Sequence, residues 1–178
     1  MTEITDTTPT WLSHDEMESA RARLPIVYID AIPVRVDERG QVTSVGLLLR
    51  ARPDGSISRE VVSGRVMYGE RIRDAILRHV EKDLGGMALP QIPANPAPLT
   101  VAEYFPDPEV TGFHDPRQHA VSLVYLVPVT GDCVPSHTAL DLVWLSPEEV
   151  VSVDVRDEMT GGQDRLVRLA LAHAGQLP

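Results

Sequence analysis

Apolar and polar positions change period several times along the chain. Ser13, followed three residues later by Glu16, forms a capping signature for a short helix, which Leu24-Pro25 must stop. Ile26, Val27, Tyr28, Ile29, Ile32, Val34 and Val36 then form a strand-like run that alternates at its end and closes at the turn Asp37 to Gly40. Val42 to Arg50 predicts a second strand and Ile57 to Val62 a third, with Pro53-Asp54-Gly55 between them. From Glu70 to Leu84 the period becomes helical, through Ile72, Ala75, Ile76, Val80 and Leu84, and Gly85-Gly86 supply a stop. Pro90, Pro93, Pro96 and Pro98 mark an irregular connection. Strands return over Leu99 to Phe105, Ala120 to Pro128 and Ala139 to Leu145, with a polar loop from Pro106 to His119. Ser146-Pro147-Glu148-Glu149 opens a helix with proline in its first turn, and a last helix runs from Gln163 to His173. This order predicts an α/β (α+β) fold, a three-layer α/β/α sandwich around a mixed sheet. Residues 1–22 read as a tail plus short helix, and 23–178 as one domain.

Composition narrows the function. The 178 residues are 43% hydrophobic but only 4% aromatic, so the core must be aliphatic. A net charge of −10 repels phosphate backbones, which argues against a nucleic-acid partner while leaving room for a local basic pocket. A single cysteine, Cys133, excludes an internal disulfide and a cysteine-only zinc site. No apolar run approaches the roughly 18 residues of a membrane span. Met1 to Thr10 is polar and lacks the features of a signal peptide, so no membrane partner and a cytoplasmic location are expected. Trp11 is expected to pack on the domain or on another subunit.

The segment Gly64 to Gly85 resembles the signature of the Nudix superfamily, G-x5-E-x7-R-E-U-x-E-E-x-G-U, where U is bulky and apolar. Gly64, Glu70, Arg78, Val80 and Gly85 fall on fixed positions. Asp115-Pro116-Arg117 with the apolar run Ala120 to Val127, and Val143 to Glu149, are similar to later segments of ADP-ribose-type members. The resemblance extends from about Leu24 onward. It implies a Nudix-like sandwich, hydrolysis of a diphosphate linkage in a nucleoside-diphosphate-type small molecule, a Mg2+ or Mn2+ cofactor, and a homodimer. It also implies that Glu70 and Arg78 orient the signature loop.

The departures from that signature change the expected chemistry. The three metal-binding glutamates of the family correspond to His79, Lys82 and Asp83. At about 100° per residue these three share one side of the helix, which overlaps its apolar direction, so they should face a cleft. Their summed charge is about 0 instead of −3, which leaves Asp83 as the expected ligand of one weakly bound ion. Lys82 is a candidate to neutralise a ligand phosphate in place of a metal. His79 and Asp83, spaced i, i+4, are candidates for an acid–base pair, with a packed histidine as the alternative. Arg117 is a candidate phosphate contact, and Phe105, with Tyr104 and Phe113, a candidate stacking surface for a base. Glu103, Asp107, Glu109 and Asp115 are available as an outlying carboxylate, without a basis for choosing. His114, His119 and His137 show no convincing metal-ligand spacing. The reading that follows is a diphosphate-binding protein with weak or altered hydrolysis. The alternative is a non-catalytic sensor or interaction module on the same fold.

Overall fold

The computed structural model describes residues 12–135 and 139–176; Trp11, the preceding tail and His137 lie outside them. Along the chain run α1 (His14–Arg21), β1 (Ile26–Val36), β2 (Val42–Ala51), β3 (Ile57–Glu60), β4 (Val62–Arg65), α2 (Ile72–Leu84), β5 (Thr100–Tyr104), β6 (Ala120–Pro128), β7 (Asp141–Leu145), α3 (Pro147–Val150), α4 (Val153–Glu158) and α5 (Gln163–His173). The seven strands form one mixed sheet with the order β3-β2-β1-β6-β5; β4 also pairs with β1 and β7 with β2.

β1 organises the sheet. On one edge it runs parallel to β6 from Ile26 to Val34. On the other it takes two antiparallel partners in turn, β4 at Tyr28 to Ala31 and β2 at Val34 to Val36. Pro33, with no amide hydrogen to give, falls in the gap between these partners. Successive β1 side chains enter opposite cores. Ile29 and Ala31 pack with Ala75, Ile76, Val80 and Leu84 of α2. Ile32 and Val34 pack with Leu166, Val167, Ala170 and Leu171 of α5. Helices therefore cover both faces, as the alternation predicts.

Two local expectations need correction. The single strand expected over Ile57 to Val62 is two strands: β3 pairs with β2, and after Val61 the chain crosses to pair with β1. Val61 belongs to one core and Val62 to the other, so consecutive apolar residues conceal a change of partner. α4 was not anticipated. It buries one side chain, Val155, and a six-residue helix with one inward contact leaves no periodic trace. Ser152 and Ser146 cap α4 and α3, the latter through a full capping box with Glu149. Among the described residues no helix is long and apolar enough to cross a membrane.

Ile76 is fully buried between α2 and the sheet. Ile76→Ala should cost about 2–5 kcal/mol. Urea unfolding should show this as a lower midpoint at unchanged slope, and an unmoved midpoint would contradict the assigned packing.

Candidate functional site

The Gly64 to Gly85 segment folds as the end of β4, a loop and α2, held by a Glu70–Arg78 pair and by two contacts to one strand-end carbonyl. Glu70 takes a two-pronged bond from Arg78, 2.7 Å from Nε and 2.8 Å from Nη2, and also accepts the Met67 amide at 2.9 Å. The Arg78 bond, more than any other influence, holds the Glu70 carboxyl below its usual range. Arg78 Nη2 further donates to the Arg65 carbonyl at 2.9 Å, and His79 Nε2 lies 2.9 Å from the same oxygen. A carbonyl only accepts, so Nε2 carries the ring proton and Nδ1 presents a lone pair. Among the described residues that Nδ1 is buried without a hydrogen-bond partner. Burial keeps the imidazole below its usual pKa, hence neutral at pH 7. The ring lies flat on Gly64, where an added Cβ would stand 1.9 Å from His79 Cε1. Gly85 ends the helix at φ +87°, with the Val134 carbonyl 2.9 Å from where a Cβ would be.

Above this segment opens a cleft of about 870 Å³ between β1, β4, α2 and the loops around residues 114–117 and 160–163. Six of its lining side chains are cationic (Arg21, Arg50, Arg65, Arg78, Lys82 and Arg117), against three acids, Asp30, Glu60 and Asp115. The cleft is thus positive in a protein whose net charge is −10. On the α2 side Arg50 forms an ion pair with Glu60 at 3.1 Å and lies 3.4 Å from Asp83, while Lys82 Nζ lies 3.6 Å from the same Asp83 oxygen. On the rim, Arg117 grips Asp115 at 2.9 and 2.8 Å. Gln118 links Asp115 and Tyr28, each at 2.9 Å, and accepts from Arg21 of α1 at 2.9 Å. α1 is therefore tied to the cleft, aided by Met17, which is buried against Arg65.

Asp30 forms part of the cleft wall on the α5 side and is 1% exposed. Tyr104 donates to it at 3.0 Å, and Ser63 and Ser122 lie close by on β4 and β6. Burial outweighs these contacts and raises the carboxyl above its usual range. Burial and the neighbouring Asp30 push the Tyr104 hydroxyl upward, so it keeps its proton and donates.

His79, Lys82 and Arg117 line the cleft together. Asp83, on the same side of α2, lies fully buried behind Lys82. Two expectations do not match the placement. His79 and Asp83 form no hydrogen-bonded pair, because Nε2 is committed to Arg65 and Nδ1 has no partner. Phe105 is absent from the lining; its ring stacks on His119 with centroids 4.4 Å apart, and Tyr104 faces the cleft instead. Of the outlying carboxylates only Asp115 borders the cleft, and Arg117 occupies it. Arg50, Glu60, Arg21 and Asp30 were not singled out in the sequence. A lone carboxylate between Ile29 and Ala31 in a run apolar on both faces was the available signal for Asp30; nothing marked the others.

The divalent ion implied by the resemblance finds a poor donor set. His79 is bound through Nε2 and sealed against Gly64, Lys82 brings a positive charge, and Asp83 already faces Arg50 and Lys82. Hard cations need several oxygen ligands, which these residues do not offer. Among the described residues no group of three or more His, Cys, Asp or Glu side chains is placed to hold a metal ion.

The loop and helix around Glu70 and Arg78, set in this sheet, give the chain the Nudix fold. More narrowly, the chain belongs to the family described as "Domain of unknown function (DUF4916)", whose model matches residues 7–176. A solved structure from Jonesia denitrificans DSM 20603, described as a possible asymmetric diadenosine tetraphosphate (Ap(4)A) hydrolase, is 63% identical. The match covers 88% of this chain and 98% of that chain, with a TM-score of 0.86. A Nudix hydrolase from Nitrosomonas europaea is 14% identical, with 85% and 90% covered and a TM-score of 0.60. A C. elegans Ap4A hydrolase is 15% identical, with 84% and 98% covered and a TM-score of 0.59. The two remote matches speak for the fold alone. No curated protein matches the chain.

Two substitutions test this geometry. Gly64→Ala should destabilise by about 1–3 kcal/mol through its clash with the imidazole. In a His79→Ala background the same change should cost far less, and additive costs in the double-mutant cycle would refute the contact. Asp30 binds its proton more tightly folded than unfolded, so the parent loses stability as pH rises from near the ordinary aspartate value of 3.8 through the raised folded value. Asparagine escapes this loss. The melting temperature of Asp30→Asn, relative to the parent, should be higher at pH 8 than at pH 4; a pH-independent difference would contradict the assignment.

Proposed function

We propose that this protein binds a nucleoside-diphosphate-type small molecule in the cleft, with weak or altered hydrolysis of its diphosphate linkage. The observation that carries the reading is the concentration of six cationic side chains in the cleft of an acidic protein. A low-dielectric cleft lined by one sign of charge draws in small ligands of the other, while the net charge of −10 repels large polyanions. Lys82, Arg50 and Arg117 are assigned to the phosphates. Asp30 and Tyr104 form a less charged wall suited to the nucleoside.

Hydrolysis would add water across the linkage. The water oxygen would bond phosphorus, the bridging P–O bond would break, and the proton would pass to the leaving phosphate. His79 is not assigned to accept that proton, because its Nε2 is committed to Arg65 and its Nδ1 is buried; the leaving phosphate takes it directly. Asp83 supports the site by holding Lys82 and Arg50, the role its burial favours over metal binding. The poor metal donor set favours a second reading, a ligand sensor that has given up turnover. The description of the Jonesia structure makes a dinucleoside polyphosphate the first ligand to try.

Thermal melting with diadenosine tetraphosphate, ADP-ribose, nucleotide sugars and nucleoside triphosphates, paired with product analysis, tests this. At about a hundredfold excess over Kd, a true ligand should raise Tm by about 5–10 °C. Product release should be slow. No stabilisation and no turnover across the panel would refute the reading, and fast turnover would refute the assignment of weak hydrolysis.

A further inference from the structure

We propose that Lys82 and Arg50 form a resident cation site that takes the diphosphate group directly, with no divalent ion between protein and ligand. This deepens the nucleotide-diphosphate reading and rests on it. The site is built from three elements: Arg50 near the end of β2, Glu60 at the end of β3 and the Lys82-Asp83 pair in the last turn of α2. Glu60 forms an ion pair with Arg50 at 3.1 Å and accepts from the Ser58 hydroxyl at 2.8 Å. Asp83, fully buried, holds Arg50 at 3.4 Å and Lys82 at 3.6 Å through one oxygen. Arg50 and Lys82 both reach the cleft, whereas Asp83 lies behind them.

This layout favours an anion over a metal ion. The two cations and two carboxylates cancel, so a divalent cation gains no net attraction. It would also have to displace Arg50 and Lys82 to reach Asp83. An anion arriving from the cleft meets the ammonium and guanidinium first. Lys82 Nζ stands farther from Asp83 than the roughly 2.7–2.9 Å of a close charge-assisted bond. Its side chain is 48% exposed. Its N–H donors can therefore turn to a phosphate without breaking a tight contact, while Asp83 keeps the ammonium over the cleft. His79, neutral and closed over Gly64, adds no negative charge to oppose the ligand. Arg50 supplies a guanidinium whose planar fork matches phosphate oxygens.

Calorimetric titration of the full chain with inorganic pyrophosphate and with ADP, in chelator and in Mg2+, tests the proposal. Both should bind with the same Kd, within about twofold, in either buffer. Lys82→Ala should weaken both by about tenfold or more while Lys82→Arg restores most of the affinity; the exposure of Lys82 makes misfolding an unlikely confounder, and circular dichroism of each variant checks it. Paramagnetic resonance of added Mn2+ should show only the free ion in the ligand-free protein. Binding that appears only with Mg2+, tightly bound Mn2+, or a Lys82→Ala variant equal to the parent would overturn the cation site and leave the nucleotide-diphosphate reading standing. Failure of both ligands, and of diadenosine tetraphosphate, to bind in either buffer would overturn that reading itself.

Discussion

One backbone oxygen fixes the cleft. The Arg65 carbonyl, at the end of β4, accepts from Arg78 and from His79, neighbours on α2. Together with the Glu70–Arg78 pair, these bonds set the rotation of α2 about its axis and its distance from the sheet. Lys82, one turn further on, is thereby aimed at the cleft and Asp83 beneath it. The closeness of helix and strand demands Gly64, because the imidazole occupies the volume any larger residue would need. In this way Gly64, Glu70 and Arg78, none of them assigned to the phosphates, decide where the assigned residues stand.

The electrostatic design runs against the composition. The chain is acidic overall, yet its cleft gathers arginines from α1, β2, β4, α2 and the 115–118 turn. Most of these cations are tethered by a carboxylate: Arg78 by Glu70, Arg50 by Glu60, Arg117 by Asp115. Tethering lowers the entropy lost when a ligand is gripped, since the side chains are already placed. It also explains how so many like charges coexist in one cleft. The same logic replaces the expected chemistry of three glutamates. In the proposed site, a metal bridging two negative partners gives way to cations set between carboxylates and the ligand.

Much of the fold was legible because period and punctuation agree. The helical spacing from Ile72 to Leu84, the Ser146-Pro147 start and the α5 stripe each correspond to an observed helix. The crossing from β3 to β4 was not, because Val61 and Val62 are both buried and a partner change leaves hydrophobicity untouched. The site was legible where it is local: Gly64, Glu70, Arg78, His79 and Lys82 lie on one segment. Arg50, Arg21 and Asp30 come to it from distant strands and a helix, and their roles depend on tertiary pairing that spacing does not encode. Phe105 shows the converse error. A scarce aromatic near a polar loop suggested stacking on a ligand, but the partner is His119 of the same chain.

The central claim is that the cleft grips a diphosphate with side-chain cations alone. A crystal structure of the protein with pyrophosphate, grown in chelator, tests it most directly. The account predicts phosphate oxygens within hydrogen-bond distance of Lys82 Nζ and the Arg50 guanidinium, with Asp83 still behind them. Pyrophosphate seated away from these two residues, or bound only through an ion against Asp83 in a companion crystal with Mg2+, would contradict it.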